Sequence, residues 1–193
     1  MLPRLGSRLV TTWMMATLAV SIVIMVGGFS VYGYLALSPE RIWHGQVWRL
    51  FTWALIEPSP LGLVITCACI YKFGGELAVR WGDRRLRRFM LQLIIAAGVV
   101  TAVLALMSPV AWRMYRPAGW VIDDVLIIAW ARQFPNSPVT FFGFLSLTGN
   151  RIIQLTLGIT LLLGLANGPF VMAPELTACF AAAFYPRGWL ERA

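Results

Sequence analysis

Three carboxylates stand inside stretches otherwise made of apolar residues: Asp123 and Asp124, side by side within 119–133, and Glu175, near the start of the last apolar segment. Gathered into one pocket, Asp123, Asp124 and Glu175 could relay a proton, hold a cation or dock a basic residue of another protein. The plainer alternative is that each acid is protonated, or bonded to Lys72, Thr66, a tryptophan or backbone groups. Geometry disfavours a shared-proton pair made of Asp123 and Asp124 alone, because adjacent helical residues point about 100° apart. Asp123 and Glu175 can meet only if two separate helices bring them together.

Other residues capable of chemistry narrow the field. The only histidine, His44, lies in a polar stretch, and Cys67, Cys69 and Cys179 all fall in apolar runs. Those cysteines give neither a paired disulfide framework nor zinc-ligand spacing, and read as small packing residues. No glycine-rich phosphate loop, haem motif or metal cluster occurs, so no cofactor and no metal are expected.

The elements that must position the acids belong in lipid. Of 193 residues, 59% are hydrophobic and 12% charged, with a mean hydropathy of +0.75, which leaves too little polar surface for a soluble domain. One membrane crossing takes about 20 apolar residues, so roughly five or six crossings consume nearly the whole length, and a single transmembrane domain over 1–193 is expected. Uncharged stretches at 9–37, 58–71, 89–112 and 152–174 stand out. The second must extend through Lys72 and Glu76 to reach membrane length, and 119–133 supplies a further crossing despite its acids. Asn167-Gly168-Pro169 breaks the last region into one crossing ending near Ala166 and another over 170–185. The first run is long for the apolar part of a signal peptide, and an uncleaved first span is expected.

A net charge of +8 raises nucleic acid as a partner, but the basic residues flank apolar segments rather than lining one polar face, so no nucleic acid is expected. With the amino terminus inside, Arg4, Arg8, Lys72, Arg80, Arg84, Arg85, Arg87, Arg88, Arg132, Arg151, Arg187 and Arg192 are inner, while Arg41, Arg49, Arg113 and Arg116 are outer. That bias favours both termini in the cytoplasm. The run from Arg80 to Arg88 reads as an inner-face anchor on anionic lipid, with a docking surface for a soluble partner as the alternative. Lys72 and Glu76, four apart, are expected to pair.

Two connections are expected to carry structure. The segment 38–58 is too polar to span, and its indoles Trp43, Trp48 and Trp53 predict a loop lying partly in the outer leaflet. Trp112, Tyr115, Tyr185 and Trp189 are expected in boundary belts. Between 134 and 150, Pro135, Pro138, Gly143 and Gly149 argue against a helix and for a short extended hairpin or inner-face loop.

Trp48-Arg49-Leu50-Phe51-Thr52, Phe73-Gly74-Gly75-Glu76 and Trp81-Gly82-Asp83-Arg84-Arg85 resemble the first loop and second span of rhomboid-type membrane proteases; derlins, the non-proteolytic relatives, share the Trp-Arg element. The resemblance covers about 46–185, with 1–45 as the first span and the start of the first loop and 186–193 as a short cytoplasmic tail. It implies an all-α, six-helix rhomboid-like bundle in which Trp48 and Arg49 brace the loop and Gly74, Gly75 and Glu76 close the inner end of the second span.

Rhomboid chemistry needs a serine at the outer start of the fourth span and a histidine on the sixth to take its proton. The matching positions are Ala118, followed by the retained Gly119, and Glu175, with Ala178 and Ala182 as the small residues after it; the second-span asparagine corresponds to Thr66. A methyl group stands where the nucleophile belongs. Ala178 and Ala182 share a helix face, and should let the sixth span approach the fourth near Gly119.

The expected protein is a catalytically inactive rhomboid-like protein of a bacterial inner membrane, in contact with membrane lipids and binding transmembrane helices of client or partner proteins. The resemblance places the recognition surface at the lateral opening between the second and fifth spans. The alternatives are an accessory subunit of a larger membrane complex, an intramembrane protease with displaced serine-type or acid-based catalytic residues, and an ion or proton carrier using the acids.

Overall fold

An uncharged run capped by Ser7, whose hydroxyl accepts from the Val10 N–H, forms the 28-residue helix α1, Arg8–Leu35. Gly28 interrupts it at φ 66°, a left-handed conformation that costs a glycine least, and there the helix kinks. The computed structural model describes residues 7–117, 120–141 and 145–185.

The first loop is ordered, as its tryptophans suggested. It holds the short helices α2 (Pro39–Trp43) and α3 (Arg49–Thr52) and a 3-10 turn over Trp53–Leu55. Trp43 is half-exposed, its indole donating to Ala102 O at 3.0 Å. Trp53 departs from the expected boundary position: it is fully buried and donates to Leu50 O at 3.1 Å. The loop folds under itself, which makes one of its indoles a core residue.

The second crossing is a continuous helical path. Helix α4 (Pro60–Cys69) passes through a π-helical turn, Ile70–Gly74, into α5 (Gly75–Trp81). It extends through Lys72 and Glu76 as expected, and these pair at 2.9 Å. Glu76 also accepts from the Trp130 indole at 2.5 Å. Gly82, at φ 79°, turns the chain into α6, Asp83–Leu104, which tightens to a 3-10 turn through Met107. Its boundaries differ from the uncharged run 89–112. The arginines from Arg84 to Arg88 occupy its first turns, and Ser108 with Pro109 ends it and starts the short α7, Pro109–Trp112. Charge at a helix end is tolerated at the headgroup level, so the helix runs past the apolar stretch.

Next come α8 (Trp120–Gln133), the antiparallel hairpin β1 (Pro138–Phe141) and β2 (Leu145–Thr148), α9 (Gly149–Asn167) and α10 (Ala173–Phe184). The hairpin falls inside the segment read as non-helical, and α9 stops at the predicted break, where Gly168 has φ 94°. Four helical paths are long and apolar enough to cross a membrane: Arg8–Leu35, Pro60–Trp81, Asp83–Met107 and Gly149–Asn167. With α8 and α10 they make six principal helices among the described residues. The last two are shorter; α8 is largely enclosed, whereas α10 buries one face and leaves Phe180 and Phe184 exposed. Helix α8 is apolar on nearly every side and mostly buried, and α10 packs on α6, α8 and α9.

Opposite ends of the bundle are tied differently. At one end Ser7 donates to Asp83 at 2.7 Å, Trp81 to Gln133 at 3.0 Å and Tyr185 to Gln92 at 2.6 Å. At the other, Leu37 and Arg116 exchange two backbone hydrogen bonds of 2.9 Å. Trp189 lies outside the described residues.

Candidate functional site

Adjacent positions on α8 send Asp123 and Asp124 to different neighbours. Asp123, 3% exposed, accepts from the Thr66 hydroxyl of α4 at 3.0 Å, and its Oδ1 has no hydrogen-bond partner among the described residues. Asp124 faces away and accepts from the Cys179 thiol of α10 at 3.6 Å. Cys179 in turn lies 3.8 Å from the Thr160 hydroxyl of α9.

Glu175 is in the first turn of α10, buried, and ion-paired with Arg116. That guanidinium also donates to Met172 Sδ at 3.4 Å. Arg116 therefore joins three pieces of chain: its backbone is stitched to Leu37 beyond α1, and its side chain holds the start of α10. The three acids consequently take three separate partners rather than a common ligand or proton. Thr66, read as the degenerate asparagine, stays close to the site as Asp123's donor. Ala118 and Gly119 lie outside the described residues. Among the described residues no group of His, Cys, Asp and Glu has the arrangement of a metal site.

Residues drawn from the motifs occupy supporting positions. Buried Arg49 donates to Ala36 O at 2.7 Å and to Gln46 Oε1 at 2.8 Å, and Thr52 donates to Leu35 O at 2.7 Å. The Trp48 ring packs on Tyr34, centroids 5.3 Å apart. The Trp-Arg pair thus fastens the first loop to the last turn of α1. Gly74, the last residue of the π-helical turn, lies buried near Val10 and Leu126, Gly75 opens α5, and Ala178 and Ala182 are buried on α10, which packs on α6 as well as on the expected fourth-span helix.

Between α8 and α9 runs a groove of about 330 Å³. Trp120, Asp124 and Ile127 line it from α8, Leu155, Thr156, Ile159, Thr160 and Leu163 from α9, and Leu147 from the hairpin. No residue of α4 contributes, so this groove is distinct from the lateral opening expected between the second and fifth spans.

Several functional contacts were not legible beforehand. Arg116 and Arg132 were counted only as outer and inner charges. Arg132 instead donates to Ala182 O at 2.9 Å and Tyr185 O at 2.7 Å, capping the end of α10. Its position in the last turn of a helix was the available signal, but the receiving carbonyls are some fifty residues away in sequence.

A family described as "Eukaryotic integral membrane protein (DUF1751)" matches residues 8–189. Derlin-1 of Arabidopsis thaliana is 24% identical over 154 residues, 79% of this chain and 54% of that protein. Derlin-1 of Oryza sativa subsp. japonica is 25% identical over 120 residues, 62% of this chain and 48% of that protein. The chain spans about half the length of the relatives it matches. These likenesses agree with the derlin-like resemblance seen in the motifs. They give the expected bacterial inner membrane no support, since the family's description is eukaryotic and both relatives are from plants.

Proposed function

The chain belongs to the eukaryotic integral membrane protein family (DUF1751), and from that premise we propose that it is a catalytically inactive, rhomboid-like membrane protein that binds transmembrane segments of client or partner proteins. The observation that carries this reading is a closed centre beside an open flank. Glu175, where the resemblance puts the proton acceptor, is occupied by Arg116, and the sequence offers a methyl at Ala118 where the attacking oxygen belongs. A base held in an ion pair, with no hydroxyl to activate, has no catalytic task.

The flank is suited to a helix. The α8/α9 groove is mainly apolar, with Asp124, Thr156 and Thr160 as polar points along it. Helices associate in lipid through close packing and a few hydrogen bonds, and such a groove provides both. The excess of basic residues on inner connections supports an orientation with both termini in the cytoplasm.

The test is site-specific photocrosslinking from Ile159 in the groove and from Val26, which faces outward on α1. Discrete protein adducts from Ile159 and none from Val26 are expected. A single adduct of fixed stoichiometry would turn the reading toward an accessory subunit. Purified protein should neither react with a fluorophosphonate nor cut a transmembrane substrate; labelling abolished by one Ser→Ala change would overturn the proposal.

A further inference from the structure

At the bundle end marked by the Leu37–Arg116 bridge, two arginines face one concavity, and neither takes part in an ion pair among the described residues. Arg49 is 3% exposed, yet its two hydrogen-bond acceptors, Ala36 O and Gln46 Oε1, are both neutral. Arg41 projects from α2 and lines the same concavity as Tyr115; the Tyr115 ring lies 5.9 Å from the Arg49 guanidinium. The two cations oppose each other electrostatically. A buried guanidinium without a counter-charge is costly, and a second one beside it raises that cost. The arrangement is balanced when an anion enters.

The concavity, about 250 Å³, is lined by Ser30, Tyr34, Arg41, Gln46, Arg49 and Tyr115. Guanidinium forks, an amide and hydroxyls are donors suited to a tetrahedral oxyanion, which can accept several at once. The position narrows the source. Ser30 and Tyr34 belong to the last turns of a membrane-length helix. Trp43 and Trp48, indoles of the kind that settle at the headgroup boundary, flank the same loop. A phosphate at that depth is attached to a lipid.

We infer that this concavity binds the phosphate of an anionic phospholipid headgroup, with Arg41 and Arg49 as its charge partners. The bound lipid would neutralise Arg49 and fasten the first loop to the membrane surface. This site is separate from the α8/α9 groove and does not depend on client binding.

The experiment uses the full chain, delipidated in a neutral detergent, with phosphatidylglycerol, phosphatidylcholine and inorganic phosphate as probes. Binding is read by native mass spectrometry and by the thermal unfolding midpoint. Arg49 braces the fold, so the variant is Arg41→Gln; the control is Arg113→Gln, which removes an equal charge from an exposed position outside the concavity. One phosphatidylglycerol should be retained in preference to phosphatidylcholine, raising the midpoint. Its affinity should fall roughly tenfold in Arg41→Gln, as expected for one charge-assisted hydrogen-bonding partner, and stay unchanged in Arg113→Gln. Stabilisation by inorganic phosphate without lipid retention would keep the oxyanion chemistry and overturn the lipid assignment. Equal losses in the two variants, or no response to any probe, would overturn the site itself.

Discussion

The two flanks of α8 are built from similar residues and close to very different degrees. Toward α1, α6 and the π-helical turn, a cavity of about 20 Å³ lies among Val10, Ile70, Gly74, Met90 and Leu126. Toward α9 the space is about 330 Å³. Apolar character cannot account for the difference, since lipid tails are as apolar as either flank. Shape does. On the closed side Asp123 of α8 meets Thr66 of α4. On the open side α9 is held close to the end of α8 at Gly149 and to Leu176 of α10 at Gly164, while the longer Leu155, Ile159 and Leu163 line the gap to α8. A membrane helix is therefore drawn in where it is small, and stands off where it is large.

The largest effect should come from filling the junction that hangs α9 on α8. A Cβ at Gly149 would lie 2.6 Å from Phe134 O, 2.7 Å from Ala131 O and 3.0 Å from Pro135 Cα, all backbone atoms that cannot rotate away. Gly149→Ala should destabilise the protein by about 3 kcal/mol, seen as lost yield and a lower unfolding midpoint in detergent. Gly158→Ala on the same helix meets nothing within 4 Å and should be neutral or stabilise by up to about 1 kcal/mol. Equal effects of the two would mean that α9 is not anchored at its start.

Next in size is the Arg116–Glu175 pair, which ties the start of α10 to the segment before α8. Arg116→Met leaves a buried carboxylate alone and should cost about 2 kcal/mol, less than for a fully enclosed pair because the Arg116 side chain is 26% exposed. Adding Glu175→Gln should recover most of that loss. Additive losses in the double variant would show that the two side chains do not act as a pair.

The helical class, the break after Asn167 and the extended segment around Pro138 were legible because each follows from local composition; of the six crossings expected, four are helical paths long and apolar enough to cross a membrane. The Lys72–Glu76 pair was legible from spacing alone. Partners chosen across the bundle were not. Nothing near Glu175 in sequence announces Arg116, and nothing near Arg116 announces Leu37. The short α8 illustrates the limit: its acids look forbidden in lipid until three neighbouring helices supply a hydroxyl for one and a groove for the other.

The adjacent aspartates test the two flanks more finely. Thr66→Val removes the described donor to Asp123 in a buried setting and should cost about 1 kcal/mol. Asp124→Asn exchanges a long contact to a thiol for another polar group, and should change stability by less than about 0.5 kcal/mol. Thermal unfolding of both variants in the same lipid decides it. The reverse order would mean that the α9 side is the tighter one.

The smallest expected change is at the groove wall. Ile159 is 47% exposed and projects toward the space beside α8. In Ile159→Ala the lost contacts are replaced by lipid rather than by an internal void, so stability should move by less than about 0.5 kcal/mol. Crosslinking from neighbouring Leu163 should nonetheless weaken or shift to other residues, because an incoming helix reads the wall that lipid ignores. Large destabilisation with unchanged adducts would mean that Ile159 belongs to the internal packing of α9, and that the groove is a gap in the fold rather than a seat for another chain.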